Sequence, residues 1–476
     1  MLETQSLITA TTIKPGEIPE VLIQLSKEGW RPALLDSQKT FLQLAGVADK
    51  IGNIRNLNFT ESFERGLRAG VAGGDVFFKD EDLYYIVISM AGVFYEEEAD
   101  TQLQLEIGLI SSNNTNLTER LKIFTTTVED VIIKTLKNEK TDDIKFEWRE
   151  QKTGTPSLDK LIAAGEEQSG LRLTRAKCIS QELDAAGIIS DKLARDTLID
   201  LSKAVFAREK DILGRRNKAQ VDVREAISKL KQTSLLNTEY LLECKRTGTP
   251  LTRLKDRQQL DNNYVANLAC PSCGELFSQE TLSEGYSLTD LGRKMSRQSH
   301  WMTVWVTDKL TKLGVPEDSI IWNISEAGEE IDLLVEYLGQ IWLFELKDRE
   351  FGAGDAYPLN YRQVRYKANK TIIFTTVKVS KDAKRVLEDL RREARSDRSR
   401  YIYGEGRLSK QSRIIYIEGL EAAEKILRKT LSDASILYAR QKLSWLSKIS
   451  GYDFGKILSA RLGQTLDYPS EDDIYF

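Results

Sequence analysis

The sequence predicts a multidomain protein of mixed α+β and α/β organisation. Its 476 residues exceed the usual size of a single domain, and its 41% hydrophobic content is enough to bury several cores. Short helical stretches and strand-like alternation are mixed up to about residue 150, helical spacing follows from about residue 156, and helices and strands succeed one another in a clear order after about residue 288. We therefore expect four segments, which span residues 1–155, 156–258, 259–287 and 288–476.

Composition indicates an ordinary soluble protein. The net charge is −4, so nucleic-acid binding would require a local basic surface. No apolar stretch approaches the roughly 18 to 20 residues that cross a bilayer, and no basic segment followed by an apolar one opens the sequence. Four cysteines are too few for a disulfide framework in so long a chain. We expect a cytoplasmic protein with no membrane association.

Residues 1–155 have the pattern of an α+β domain. Short helical stretches occur together with period-two alternation at Tyr84–Met90 and Leu103–Leu109. The segment carries no evident repeat or catalytic motif. We expect a scaffold or partner-binding domain, with ligand sensing as the alternative.

Residues 156–258 predict helices followed by a β-hairpin. Apolar residues recur at helical spacing in two groups, Leu193, Leu198, Leu201 and Val205, then Val223, Ile227 and Leu230. Two short apolar stretches follow, Tyr240–Cys244 and Leu251–Leu254, separated by a Lys-Arg-Thr-Gly-Thr-Pro turn. This order is typical of a winged helix.

A winged helix can place one helix in the major groove while its hairpin rests on the DNA backbone. Cations near that helix are Arg215, Arg216, Lys218, Arg224, Lys229 and Lys231. We expect Lys229 and Lys231 to contact nucleic acid. Winged helices also bind proteins, so a protein partner is the alternative.

Residues 259–287 contain a candidate metal site. The stretch Cys270-Pro271-Ser272-Cys273-Gly274 resembles one knuckle of a zinc ribbon, in which a tight turn directs two thiolates at one ion. A second Cys-x-x-Cys pair is absent from the sequence, so we expect Cys244 and His300 to complete a Cys3His zinc site. The alternative is a set of unliganded thiols. Cys178 has no evident partner.

From residue 288 onward the sequence predicts helices and strands in an αβββαβ order. The elements are a helix at Thr289–Leu313, strands at Ser319–Ile324, Glu330–Glu336 and Ile341–Lys347, a helical segment at Asn360–Asn369, a strand at Thr371–Thr376 and a helix at Lys381–Arg395. Such an order gives a mixed sheet with helices packed on its faces. A C-terminal helical extension follows.

Acidic side chains of two adjacent strands are expected to converge. Successive side chains alternate across a strand, so Glu330 and Asp332 share one face, and Glu345 and Lys347 share one face of the next strand. A hairpin through Leu338-Gly339-Gln340 would bring Asp332 and Glu345 together. Two carboxylates are enough to hold Mg²⁺, and Lys347 would orient water or stabilise charge in phosphodiester hydrolysis. The alternative is a structural ion-pair cluster.

The motifs Gly328-Glu-Glu-Ile-Asp332 and Phe344-Glu-Leu-Lys347 resemble those of the PD-(D/E)xK, or restriction-endonuclease-like, superfamily. The resemblance covers about residues 288–395 and implies a nuclease core dependent on Mg²⁺ or Mn²⁺. Gln363-Val364-Arg365-Tyr366 is similar to the Q-x-x-Y element of RecB-type nucleases, which implies that Gln363 and Tyr366 help position substrate and lysine. That branch often has an upstream metal-binding histidine or acid, and His300 cannot serve both this metal and zinc.

Four cations near the expected metal are candidates for phosphate binding: Arg349, Arg362, Arg365 and Lys367. Arg349 pairing with Asp348 or Glu350 is the alternative. We expect a DNA nuclease, by analogy an effector of prokaryotic defence against foreign DNA. DNA repair or recombination, and a non-catalytic DNA-binding assembly protein, are the alternatives. No Walker motif is present, so a partner ATPase or other defence subunit is expected for any energy-driven step, and a homodimer for cutting both strands.

Overall fold

The computed structural model describes residues 3–11, 13, 17–36, 71–80, 82–91, 102–113, 115–136, 146–150, 171–214, 220–326, 329–366, 368–395 and 413–443. The chain divides into two compact units, Met1–Thr155 with Leu427–Phe476, and Pro156–Ile426. Both units mix helices and sheets, so the predicted α+β multidomain class is confirmed at that level. Among the helices that the structure describes, none is long and apolar enough to cross a membrane.

The first unit contains a five-stranded antiparallel sheet of order β2-β3-β4-β1-β5. Its elements are β1 (Glu3–Thr11), α1 (Ile18–Lys27), β2 (Val71–Lys79), β3 (Asp82–Ala91), β4 (Gln102–Ser111), α2 (Leu117–Leu136) and β5 (Arg149–Glu150). Alternation along β3 separates two cores, because Tyr84 and Ile86 pack with residues of α1 and α2 whereas Leu83 and Tyr85 pack in a second cluster.

The second cluster of this unit includes residues far along the chain. Ile436 and Ala439 belong to helix α12 (Leu420–Lys442), and they pack with Val76 and Tyr85. The C-terminal extension predicted within residues 288–476 therefore contributes its later part to the first unit. The predicted division into four segments stays a prediction.

The second unit begins with helices and a small antiparallel sheet of order β7-β10-β8-β9. The elements are α3 (Ser180–Ile189), α4 (Lys192–Ser202), β7 (Ala207–Arg208), α5 (Glu209–Gly214), α6 (Gln220–Gln232), β8 (Leu236–Glu243), β9 (Pro250–Leu254), α7 (Asn263–Ala266) and β10 (Thr281–Leu288). The hairpin predicted after the helices is β8–β9. Val205 lies beyond the end of α4 and is 80% exposed, so its predicted place on the buried helical face is wrong.

A six-stranded sheet of order β15-β14-β13-β12-β11-β6 dominates the rest of this unit. Its elements, with the helices around it, are β6 (Leu171–Arg175), α8 (Asp290–Ser296), α9 (His300–Lys312), β11 (Ile320–Glu326), β12 (Glu329–Tyr337), β13 (Gln340–Lys347), α10 (Ala353–Arg365), β14 (Lys370–Thr375), α11 (Lys381–Arg395) and β15 (Arg413–Glu418). The predicted order of elements is observed, and β6 and β15 extend the sheet beyond it.

Two helices differ from the prediction. The expected helix at 289–313 is interrupted between α8 and α9, where Gln298 and Ser299 have positive φ angles of 46° and 55°. Residues in this left-handed region cannot continue a right-handed helix. Helix α10 begins at Ala353, before the predicted start, and keeps Pro358 inside it at the cost of one hydrogen-bond donor.

The two faces of the large sheet pack against different helices. Leu334, Leu343 and Ile373 share a core with residues of α10 and α11. The opposite face meets α9, because Trp305 packs against Phe374 at 5.8 Å between ring centroids. Since Glu345 alternates in phase with Leu343 along β13, it lies on the α10 side of the sheet.

Candidate functional site

The carboxyl end of β13 carries an acid–lysine cluster, which we define as Asp332, Glu345, Lys347 and Arg362. Lys347 Nζ lies 2.8 Å from Glu345 Oε1 and 3.9 Å from Asp332 Oδ2. Both carboxylates therefore lie on one face of the sheet. The distance between Asp332 Oδ2 and Glu345 Oε1 cannot exceed the sum of these two distances. The structure thus brings together the three residues that the sequence singles out.

A tight turn sets the register that makes this meeting possible. Leu338 and Gly339 have φ angles of 50° and 74°, as the two central residues of a type I′ hairpin turn require. The pairing that follows runs to Leu333 opposite Phe344. One step further along both strands are Asp332 and Glu345, which consequently face each other.

Burial controls the ionisation of the cluster. Asp332 and Glu345 are 8% and 3% exposed, and Asp332 Oδ2 accepts a 2.7 Å hydrogen bond from the Leu346 N–H. Burial, together with the nearby Glu345 charge, raises the pKa of Asp332 to about 7, although Lys347 and the Leu346 N–H oppose the shift. Burial alone would lower the pKa of Lys347, but the Glu345 and Asp332 charges outweigh it and raise that pKa. The ammonium stays charged near neutrality.

Arg362, expected to bind phosphate, completes the cluster from α10. Its Nη1 donates to Glu345 Oε2 at 2.7 Å, so each oxygen of Glu345 contacts a cationic group of the protein. The cluster therefore holds two carboxylates, one ammonium and one guanidinium. In this arrangement the Arg362 guanidinium, which was expected to bind phosphate, is paired with the Glu345 carboxylate.

The Q-x-x-Y residues lie on and just after α10. Gln363 is 2% exposed and follows Ala356 and Leu359 on the buried side of the helix. Its Nε2 atom has no hydrogen-bond partner among the described residues. Tyr366 is partly buried and packs against the core shared by α10 and the sheet. Their suggested roles in positioning substrate and lysine stay predictions.

The Arg349 side chain, expected to bind phosphate, is paired with an acidic side chain that the sequence analysis does not name. Its guanidinium binds both carboxylate oxygens of Asp355, at 2.8 and 2.7 Å, and also donates to the backbone carbonyl of Glu350. The alternative pairing with the side chain of Asp348 or Glu350 is thus replaced by a pairing with Asp355, in the first turn of α10, and the expected binding of phosphate by Arg349 stays a prediction. Arg365 is exposed, and Lys367 lies outside the described residues.

The two lysines predicted to contact nucleic acid from α6 are also near acids. Lys229 Nζ lies 2.7 Å from Glu225 Oε1, one helical turn away. Lys231 Nζ lies 3.7 Å from Glu284 Oε1 and 5.4 Å from the centre of the Tyr286 ring. Both lysines are substantially exposed, so these pairs leave their charges accessible to a ligand.

Asp348, which follows the lysine of the cluster, is a residue that sequence reasoning missed. Arg195 Nε lies 3.1 Å from its Oδ1, and Trp301 Nε1 donates to its Oδ2 at 3.1 Å. Thr376 Oγ1 also donates to Oδ1, at 2.8 Å. Asp348 therefore joins α4, α9 and the end of β14 to the end of β13. The available signal in the sequence was Arg195, a charged residue between the apolar Ala194 and Leu198 of a predicted helix.

A second group, the sulfur cluster, comprises Cys244, Cys270, Cys273 and Glu280. The ligand atoms of these side chains all lie within 4.8 Å of one another, and Cys244 and Cys270 are buried. Three thiols and a carboxylate are a donor set that can hold a metal ion such as Zn²⁺. The Cys273 thiol donates to Glu280 Oε1 at 3.0 Å, which raises the pKa of Cys273 to about 12.

His300 does not belong to the sulfur cluster, so its predicted place as fourth zinc ligand is wrong. It begins α9, and its ring packs edge-on against Trp322 with 5.7 Å between centroids. Burial lowers its pKa. The reason is topological, because α9 packs on the large sheet whereas the cysteines lie in loops of the small sheet. The fourth member, Glu280, lies just before β10 and has no sequence motif of its own.

Comparisons with known proteins give little further information. No family model matches the chain, and no curated protein matches it. A solved structure, that of protein VC1899 from Vibrio cholerae, resembles it at 10% sequence identity with a TM-score of 0.32. The likeness covers 68% of this chain and 78% of that one. At this TM-score it carries no inference about fold or function.

Proposed function

We propose that the chain is a metal-dependent nuclease that hydrolyses phosphodiester bonds of DNA at the acid–lysine cluster. The observation that supports it is the meeting of Asp332, Glu345 and Lys347 on one face of the sheet. Burying such charges costs several kcal/mol unless they are compensated, and groups with perturbed ionisation concentrate at functional sites. Asp332, with its pKa raised to about 7, is such a group.

The donor set fits a hard divalent cation. Asp332 and Glu345 offer carboxylate oxygens, which Mg²⁺ and Mn²⁺ prefer, and Mg²⁺ commonly uses only one or two carboxylates from the protein. A cation between them would also relieve the repulsion that disfavours the charged form of Asp332. When bound, the ion would neutralise phosphate charge and lower the pKa of an attacking water.

The remaining residues of the cluster supply positive charge beside that position. Glu345 Oε1 holds the Lys347 ammonium, which can hydrogen-bond a water or a non-bridging phosphate oxygen. Arg362 presents a planar guanidinium suited to bidentate phosphate binding once its carboxylate partner is shared with a cation. Gln363, at the same end of α10, would help position the substrate and Lys347.

Metal-dependent cleavage by the purified full-length chain tests this proposal. Plasmid DNA, single-stranded DNA and RNA are incubated with Mg²⁺, Mn²⁺ or a chelator. We expect cleavage with the metals, and a loss of about 10²- to 10³-fold in Lys347→Ala, the usual cost of removing one donor to the transition state. Lys312→Ala is the matched control, because Lys312 is an exposed lysine paired with Asp308. This variant should cleave DNA as the unaltered chain does.

Two outcomes would contradict the proposal. Cleavage that survives in Lys347→Ala would show that the site is elsewhere. DNA binding with no cleavage in any of the metals would favour a second candidate, a DNA-binding assembly protein that retains the fold. That candidate is favoured by the two cations already bound to Glu345, which balance the acids without an added ion.

The wider setting of the proposed activity is also part of the proposal. We assign the helices before β8 and the β8–β9 hairpin to a winged helix that binds DNA, and the enzyme to prokaryotic defence against foreign DNA. DNA repair or recombination is the alternative setting. A homodimer would allow cutting of both strands, and a partner ATPase would supply any energy-driven step. Light scattering of the purified chain tests the dimer.

A further inference from the structure

Two loops next to the small sheet have the same backbone hydrogen bonds. One is Cys244-Lys-Arg-Thr247-Gly248 and the other is Cys270-Pro-Ser-Cys273-Gly274. In each, the glycine N–H donates to the carbonyl of the cysteine four residues earlier, at 2.7 and 2.8 Å. In each, the cysteine N–H donates to the carbonyl five residues later, at 2.9 and 2.7 Å. The two loops are therefore versions of one turn.

The glycines explain why both sequences adopt this turn. Gly248 and Gly274 have φ angles of 70° and 82°, in the left-handed region that glycine enters without strain. A zinc ribbon pairs two such turns around one ion, each contributing two thiolates. Here the pattern is complete in the second turn and has Thr247 at the position of the missing thiolate in the first.

Glu280 supplies a ligand where Thr247 does not. The Thr247 and Thr249 hydroxyls are hydrogen-bonded to each other, with 2.9 Å between their oxygens. The Glu280 carboxylate instead reaches both turns, because Oε2 accepts the Lys245 N–H and Oε1 accepts the Cys273 thiol. Donor atoms around tetrahedral zinc lie about 3.8 Å apart for Zn–S bonds of about 2.3 Å. The 4.8 Å spread of this group needs only a small contraction.

We propose that Cys244, Cys270, Cys273 and Glu280 form a structural zinc site that ties the end of the β8–β9 hairpin to residues 255–280. On binding, the three thiols release protons to solvent and form Zn–S bonds, and Glu280 coordinates through one oxygen, with no change of oxidation state. Four protein ligands close the coordination sphere, as in structural rather than catalytic zinc sites. The site is independent of the proposed nuclease activity.

The hydrophobic core around the site is small, which explains why a metal would stabilise the fold there. Its buried members are Leu242, Cys244, Cys270 and Phe277, so two of the four are ligands. The nearby segment 255–280 contains short helical turns, including α7, and one isolated β-bridge between Ala269 and Leu276. Five partly buried residues pack against these four, so the core is small, and small modules often depend on a metal for their fold.

Metal analysis and Co²⁺ spectroscopy of the full-length chain test the site. We expect one zinc per chain as purified. After removal of zinc by a chelator, Co²⁺ should give thiolate-to-cobalt charge transfer and the visible bands of tetrahedral coordination. Glu280→Ala should keep the charge transfer but weaken binding by at least about 10- to 100-fold, the range that even outer-shell changes produce.

Two kinds of variant make the assignment specific. Adding Thr247→Cys to Glu280→Ala should restore tight binding with stronger charge transfer, because it completes the second thiolate pair. His300→Ala and Cys178→Ser should bind zinc as the unaltered chain does, since neither side chain belongs to the cluster.

The results that would overturn the site are equally distinct. Absence of zinc in the purified protein together with no cobalt spectrum would exclude it. Iron in place of zinc would contradict the metal assignment. Zinc lost in His300→Ala but retained in Glu280→Ala would restore the Cys3His ligand set in place of this one. All readouts measure bound metal, so a failure to cleave DNA leaves them unchanged.

Discussion

The acid–lysine cluster and the sulfur cluster are built in opposite ways. Neighbouring strands of the large sheet supply the acids of the first, and Lys347 and Arg362 already balance their charge. Loops and a strand start supply the second, and the partners of Glu280 among the described residues are a thiol and a backbone N–H. We therefore expect the first cluster to keep its structure without an ion, and the second to need an ion for its structure.

Glu345→Ala should give the largest change in stability. Glu345 is 3% exposed and binds two cationic groups, so its removal leaves Lys347 and Arg362 without their shared carboxylate. Breaking a buried ion pair by deleting one partner typically costs about 3–5 kcal/mol. Urea unfolding of the metal-free protein measures this free energy directly.

Glu280→Ala in the same metal-free protein is the matched comparison. This carboxylate is only partly buried and accepts hydrogen bonds from a thiol and a backbone N–H rather than from charged groups, so its loss should cost clearly less than the loss of Glu345. Equal costs for the two substitutions would refute the contrast between a self-balanced cluster and a metal-dependent one.

The ionisation of Asp332 predicts a pH-dependent effect on stability. Burial raises its pKa to about 7 from 3.8, so between these values the folded chain binds more protons than the unfolded chain. Its contribution to stability is therefore full below the unfolded pKa and is lost as pH rises through about 7, with a slope of at most about 1.4 kcal/mol per pH unit. Asp332→Asn should abolish this slope in urea unfolding from about pH 4 to pH 7. An unchanged slope would show that another group titrates.

Sequence reasoning located the acid–lysine cluster because strand geometry is local and periodic. Alternation alone placed Glu345 and Lys347 on one face, and a hairpin predicted through Leu338-Gly339-Gln340 placed Asp332 near Glu345; in the structure the turn is Leu338-Gly339, and Gln340 already pairs with Tyr337. The same logic gave the order of elements around the sheet. What these residues do chemically was inferred from their types and from a family resemblance.

Contacts between distant parts of the chain were beyond such reasoning. Nothing periodic relates Arg195 to Asp348, although their pairing joins α4 to the end of β13. Glu280 was missed for a related reason, since a carboxylate outside any motif becomes a ligand only through the path of the loops. His300 was chosen as the single histidine, but the packing of α9 on the large sheet takes it elsewhere.

The smallest expected effect concerns nucleic-acid binding near the small sheet. Lys229 and Lys231 each lie beside an acid, yet both are exposed, and exposed ion pairs contribute little to stability. Replacing both with alanine should therefore hardly change stability.

Each lysine that contacts a duplex phosphate adds about 0.9 to the slope of log binding constant against log salt concentration. The double variant should lower that slope by about 1 to 2, measured by fluorescence anisotropy of labelled duplex DNA. An unchanged slope would mean that α6 binds a protein, and that the phosphate contacts lie at the acid–lysine cluster alone.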